Sequence, residues 1–551
     1  MTTDRKRILI VGGVAGGASC AARARRLSET AEIIMFERGS FVSFANCGLP
    51  YYVGDVITDE KKLLVADAEL FRQRFNIEVR LEHEVMAIDR DAMQITIKNR
   101  QTGEVYQESY DALVLAPGAA PIRPSLPGID LPGIFSLRTI PDSRCIREWI
   151  AEHQVKQAVV VGGGFIGLEM VENFVHRGIA VTLIESKSQI MAPLDPEMLA
   201  PVYERLKSHH VTLHLGDSVA KFAPAVKGGI CVSTQSGESF AADLVILGIG
   251  VRPESTLAKA AGLDIGDRGG IRVNERMQTS DPTIWAVGDV VEVKDFVTGE
   301  WTVISLAGPA NRQGRIAADV ICGRDATFRG VQGTSVCGIF GLAIAATGVN
   351  EKNLQRLGWD YGKVYLHPGQ HASYYPNVKS IALKLLFSNQ DGRILGAQAV
   401  GEEGADKRID IIAMALQTGA TVFDLEAAEL CYAPQFGAAK DPINMAGMIA
   451  ANALRGDAPL VHWQQLPDLR DRLLLDVRNI DEFTAGHVAG AVNIPLPQLR
   501  DLMHELNPDR EIWVYCQVGQ RGYYATRALR LNGFNAHNLS GGFKTYQAIK
   551  P

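Results

Sequence analysis

Two cysteines stand in settings suited to sulfur chemistry. Cys516 opens the stretch Cys516-Gln517-Val518-Gly519-Gln520-Arg521, which reads as a loop after a strand and before a helix. Successive backbone N–H groups of such a loop can surround an anion. The helix N-terminus adds its positive end and Arg521 adds a guanidinium, and all of these favour a thiolate or persulfide. Cys47 lies in SFANCGLP, and no further cysteine follows before Cys145. As a redox thiol it has no near partner in sequence, so it must cycle with an outside sulfur or as a sulfenate. The other six cysteines, Cys20, Cys145, Cys231, Cys322, Cys337 and Cys431, lack such a basic loop and are expected to be inert, with Cys431 the one exception to watch because it neighbours Tyr432.

Two glycine-rich turns supply a second chemistry. RILIVG is a short buried strand, GGVAGG (12–17) a turn and SCAARARRLSE a helix, after which EIIMFE ends at Glu37. The unit is a β–turn–α–β dinucleotide fingerprint. Val14 stands where the strict pattern has glycine, but Gly12, Gly13, Gly16 and Gly17 still let a pyrophosphate approach a helix N-terminus. QAVVVGGGFIGLEM repeats the pattern strictly, with Gly162, Gly164 and Gly167, and AVTLIE then ends at Glu185. Two such units imply FAD plus NAD(P). A carboxylate at 185 accepts from the 2′-OH of NAD and repels a 2′-phosphate, so NADH is favoured, with Arg177 or Lys187 able to soften the preference.

These sites need a large α/β scaffold. The chain has 551 residues, enough for three or four domains; 46% of them are apolar and 21% charged, as in globular proteins. The net charge of −6, with no basic block, argues against a nucleic-acid partner. Eight cysteines without a CxxC exclude a disulfide scaffold and a structural zinc site, so no metal is expected. No apolar stretch reaches a membrane span. DRKR followed by ILIVGGVAGGASCAA imitates a signal peptide, but its glycines are spaced as a nucleotide turn. The protein is expected to be cytoplasmic, with reduced thiols and no membrane contact.

DALVLAPGAAP (111–121) and TSDPTIWAVGD (279–289) complete a resemblance to the two-dinucleotide flavoprotein disulfide reductases, covering residues 7 to about 450. The resemblance implies an FAD domain (1–120 and 251–325) interrupted by an NAD domain (121–250), then an α+β dimerisation domain (326–455). It makes Asp289 an acceptor for the flavin ribityl chain and places Glu37 and Arg38 at the FAD nucleotide. SFANCGLP, with its single cysteine, is similar to the branch holding coenzyme A-disulfide reductases and NADH oxidases or peroxidases. The peroxide-using members carry a histidine in the first glycine-rich segment. GGVAGGASC has none, and with AARARR it resembles the coenzyme A-disulfide reductases.

That likeness implies a homodimer with active sites shared between subunits. HASYYPN (371–377) and CYAPQFGAAKDPINMAG (431–447) would bring Tyr374 and Tyr432 to the partner's site. It also implies coenzyme A contacts at Ser19, Arg23, Arg26, Ser43, Asn46 and Lys440. Phe165 would stack near the flavin and swing aside for nicotinamide, or simply pack. LLLDVRNIDEFTAGHVAGAVNIPL, the Cys516 loop and NLSGGFKTY resemble a rhodanese domain over 465–551, in which Asp476 and Arg478 are expected to be structural. The expected activity is NADH-driven reduction of coenzyme A persulfide, polysulfide or coenzyme A disulfide. The alternatives are an NADH oxidase or peroxidase using a Cys47 sulfenate, and a sulfurtransferase with a redox-sensing flavin module.

Overall fold

The computed structural model describes residues 6–226, 228–468 and 471–549. The described chain forms two compact units, one of 1–190 with 209–331 and the other of 191–208 with 332–551.

The first unit holds two parallel five-stranded sheets built alike. In one, Arg7–Val11 is central, with Glu32–Glu37 and Glu78–Leu81 on one side and Ala112–Leu115 and Ile284–Ala286 on the other. In the other, Gln157–Val161 is central, flanked by Ala180–Glu185 and Thr212–Leu215 on one side and by Leu244–Leu247 and Ile134–Phe135 on the other. Both central strands are near-continuous apolar runs, as strands covered on both faces must be. In both sheets the glycine turn leaves the central strand and the acid ends its neighbour, so turn and acid meet at the carboxyl edge.

The second unit joins an antiparallel sheet to a parallel one. The antiparallel order is Ser335–Ile339, Leu342–Gly348, Ile394–Gly401, Ala382–Ser388, Tyr361–Leu366. The parallel order is Leu460–Val461, Ala536–Leu539, Ile512–Tyr515, Leu473–Asp476, Val492–Asn493. The α/β class with two Rossmann-like sheets, an α+β domain and a C-terminal α/β domain is therefore present as the sequence predicts.

Residues 191–208, which sequence placed inside the NAD domain, cluster with the second unit. The reason is electrostatic. Lys384, fully buried, donates to Asp195 Oδ2 at 2.7 Å, Glu197 Oε1 at 2.6 Å and Glu351 Oε2 at 2.6 Å. Burial alone would raise the Glu351 carboxyl, but Lys384 and Lys363 hold it at about 2. Among the described residues these three carboxylates are the one group placed to hold a metal ion, and the Lys384 ammonium already lies among them.

Two histidines in this unit are also held neutral. Burial, then Lys544, lowers His367 to about 3, and burial, then Lys363, lowers His462 to about 3. The Nδ1 of each is buried with no hydrogen-bond partner, so nothing accepts a second proton. A depressed folded pKa gives stability that is full above the unfolded value and lost as pH falls. The second unit is expected to lose stability as pH drops below about 6.5, where the histidines begin to favour the unfolded chain. Glu351 adds to the loss below about 4.3. Its melting temperature between pH 7 and pH 4 should fall steadily; a flat profile would contradict this account.

Candidate functional site

The first glycine turn shows why Val14 is tolerated. Gly12 has φ +95°, and a Cβ there would run into the Ala116 carbonyl. A Cβ at Gly17 would strike the Gly12 carbonyl oxygen. Val14 has φ −99°, outside the left-handed region that favours glycine, so the demand for glycine falls on its neighbours. The second turn repeats the geometry. Gly162 has φ +105°, a Cβ at Gly167 would strike the Gly162 carbonyl oxygen, and a Cβ at Gly164 would face open space. Glu37 accepts from the Gly13 N–H at 3.0 Å and Glu185 from the Gly163 N–H at 2.7 Å.

Neither helix that follows, Ala15–Leu27 or Phe165–His176, has a side-chain cap. Their first N–H groups face a bare glycine cradle, which suits a pyrophosphate. Burial raises the Asp289 carboxyl, and Arg138, 4.0 Å away, lowers it. Asp289 makes no hydrogen bond among the described residues, as suits an acid awaiting a hydroxyl donor. The cradles and Asp289 fit FAD and a nicotinamide dinucleotide. Arg38 pairs with Glu254 at 2.6 Å. Arg177 donates to the Val53 carbonyl at 2.9 Å and pairs with Asp55, which engages it away from Glu185. Phe165 is half-buried at the first position of its helix.

The Cys47 loop hangs from the first turn. Ser43 has φ +48° and its N–H donates to the Gly13 carbonyl at 2.7 Å. Asn46–Gly48 then forms one 3-10 turn that leads into the helix Leu49–Val53. Cys47 is exposed and free, and the Asn46 Oδ1 beside it is buried without a partner, an acceptor that a bound ligand can use. Burial pushes the Cys47 thiol up, and the Glu169 and Asp289 carboxylates push it further. Sequence missed Glu169. It lies two residues beyond Gly167, and only folding shows that burial raises it to about 7 with Tyr51 as hydrogen-bond partner.

The expected coenzyme A contacts divide. Arg23 forks onto Asp319 at 2.8 and 2.6 Å, and Ser19 donates to Asn311. Arg26 and Lys440 are exposed. In the second unit the two tyrosine stretches meet, since the Ala372 N–H donates to the Gly437 carbonyl at 2.8 Å and Arg408 joins the Gln370 carbonyl to Asp441. Tyr374 and Tyr432 share a short hydroxyl hydrogen bond that raises Tyr374, and both are exposed beside exposed Tyr375 and Phe436.

Cys516 follows the strand Ile512–Tyr515 at the carboxyl edge of the parallel sheet, beside Leu473–Asp476, where the strand order reverses. The Gly519 N–H donates to the Cys516 Sγ at 3.2 Å, and Cys516 is only 1% exposed. Arg521 is held by both oxygens of Glu482 at 2.7 Å, a partner that sequence did not supply. Buried Arg478 forks onto buried Asp476, as expected of structural residues.

Residues 6–314 match the pyridine nucleotide-disulphide oxidoreductases, 334–441 their dimerisation domain and 462–549 a rhodanese-like domain. The coenzyme A disulfide reductase of Staphylococcus haemolyticus is 36% identical over 443 residues, covering 80% of this chain and 98% of that protein. The chain belongs to the coenzyme A disulfide reductase family. It is an FAD- and NAD-using oxidoreductase of sulfur–sulfur bonds with a dimerisation domain. The structure of reduced Bacillus anthracis CoADR-RHD matches with TM-score 0.97 at 49% identity, covering 99% of this chain and 98% of that one. A NAD-dependent persulfide reductase from A. fulgidus matches with TM-score 0.91 at 34% identity, covering 98% and 100%. Among the described residues no helix is long and apolar enough to cross a membrane.

Proposed function

We propose that this member of the family reduces coenzyme A persulfide to coenzyme A and hydrogen sulfide with NADH. Polysulfide and coenzyme A disulfide are secondary substrates, and Cys516 carries sulfane sulfur. The observation behind this reading is that one chain pairs a free, exposed thiol, Cys47, with a second thiol, Cys516, in a loop whose Gly519 N–H donates to its sulfur. A reductase of plain disulfides needs no sulfur-transfer module.

The Cys47 sulfur attacks the persulfide sulfur bonded to coenzyme A. The sulfur–sulfur bond breaks, sulfide leaves, and Cys47 is joined to coenzyme A. Two electrons from NADH then split that mixed disulfide into a Cys47 thiolate and coenzyme A thiol. One proton is taken up overall. FAD would be held by the first glycine cradle, Glu37 and Asp289, and would supply the two-electron transfer between NADH and sulfur. Burial, then the Glu169 and Asp289 carboxylates, disfavours a Cys47 thiolate, so its stabilisation falls to the bound groups. Glu37 and Glu185 orient the two nucleotides. The Tyr374–Tyr432 pair, brought from the partner subunit, donates a proton to the leaving sulfur. Ser43 and Asn46 orient the pantetheine end, while Arg26, exposed and not engaged as Arg23 is by Asp319, serves its phosphates.

Steady-state NADH oxidation with each acceptor tests the reading. Coenzyme A persulfide should exceed coenzyme A disulfide in kcat/KM by about tenfold or more. Cys516→Ser should abolish thiosulfate:cyanide sulfur transfer while leaving coenzyme A disulfide reduction intact. Oxygen consumption matching the persulfide rate would instead establish an NADH oxidase.

A further inference from the structure

An edge strand presents unpaired N–H groups that must be covered. Tyr361–Leu366 is the edge of the antiparallel sheet, and one of its N–H groups meets the parallel domain. The Tyr365 N–H donates to the Ser540 Oγ at 2.9 Å, in a buried contact. His367 Nε2 meets the Thr545 Oγ1 at 2.8 Å, and Lys544 donates to the Ser380 Oγ at 2.9 Å. A Cβ at Gly541 would be crowded by both Tyr365 and Thr545.

The same short segment forms the back wall of the sulfur loop. Gly541 and Gly542 have φ +73° and +62°, which turn the chain into the helix Gly542–Ile549. The Phe543 N–H donates to the Cys516 carbonyl at 2.7 Å and the Lys544 N–H to the Gln517 carbonyl at 3.0 Å. A Cβ at Gly542 would collide with the Cys516 carbonyl and crowd the Gly519 and Val518 nitrogens. One face of residues 540–545 thus holds the Cys516 loop while the other grips a strand of the dimerisation domain.

We propose that Ser540 and Thr545, through their bonds to Tyr365 and His367, are positioning residues for sulfur transfer at Cys516. The dimerisation domain is then part of the sulfurtransferase site, and Cys516 works from a clamped platform. The inference rests on the reading that Cys516 carries sulfane sulfur. Loss of the seam lets residues 540–545 shift, which loosens the loop whose Gly519 N–H points at the sulfur.

The test uses the full-length holoenzyme with His367→Asn, Thr545→Val and Thr545→Ser. Two readouts are taken: thiosulfate:cyanide transfer, and the pH profile of Cys516 alkylation resolved by mass spectrometry. His367→Asn and Thr545→Val should each lower transfer kcat about tenfold with KM within twofold, and move the Cys516 profile to higher pH. Thr545→Ser, which keeps the hydroxyl, should restore both, and coenzyme A disulfide reduction should stay unchanged in all three. Wild-type kcat and an unmoved profile in His367→Asn and Thr545→Val would overturn the inference. If Thr545→Val does not fold, His367→Asn, changed in the other domain, decides by the same readouts. Absence of transfer in the wild type would refute the sulfur-carrier reading, and the alkylation profiles would still judge the seam.

Discussion

Cys47→Ser should abolish sulfide release from coenzyme A persulfide, lowering kcat/KM by at least about 10³-fold. A serine hydroxyl of the same size cannot form the mixed disulfide, and no other cysteine stands near it in sequence to take over. NADH should still bleach the flavin absorbance in a single turnover, because the glycine cradles and Glu185 are untouched. Two outcomes are therefore separable. Bleaching without sulfide places the defect at the sulfur step; undiminished sulfide would remove Cys47 from the mechanism.

The second large effect concerns stability. Lys384→Met should destabilise the second unit by about 3–5 kcal/mol, more than a hundredfold in its unfolding equilibrium. The substitution leaves Asp195, Glu197 and Glu351 buried around an apolar side chain. Gln398, which donates to Asp195 at 2.6 Å, and Lys363, paired with Glu351 at 2.5 Å, satisfy only part of what remains. The Glu197 carboxylate keeps the Tyr365 hydroxyl, at 2.6 Å. Denaturant unfolding followed by tryptophan emission, with Trp463 and Trp513 in this unit, measures the change. An unmoved midpoint would show that the carboxylates protonate or rehydrate at no cost. Tyr365 also carries the Ser540 contact, so a milder Lys384→Arg variant is worth assaying for sulfur transfer as well.

What the sequence determined by itself was local. A strand, a glycine turn and a helix lie within some fifteen residues of each other, and their spacing is dictated by backbone sterics at Gly12, Gly17, Gly162 and Gly167. The same holds for the Cys516 loop, whose strand, nest and helix are consecutive. Family likeness added the domain order, the single-cysteine branch and the C-terminal domain. Tertiary structure decided whatever depends on residues far apart in the chain. It brought Glu169 to bear on Cys47, engaged Arg23 with Asp319 and Arg521 with Glu482, and drew 191–208 into the second unit through Lys384. It also showed that residues 540–545, readable only as a glycine turn, lock the sulfur loop to the neighbouring sheet. Charges and hydrogen bonds act over a few ångströms in space without regard to sequence separation, so a one-dimensional pattern names the reactive groups and leaves their partners to the fold.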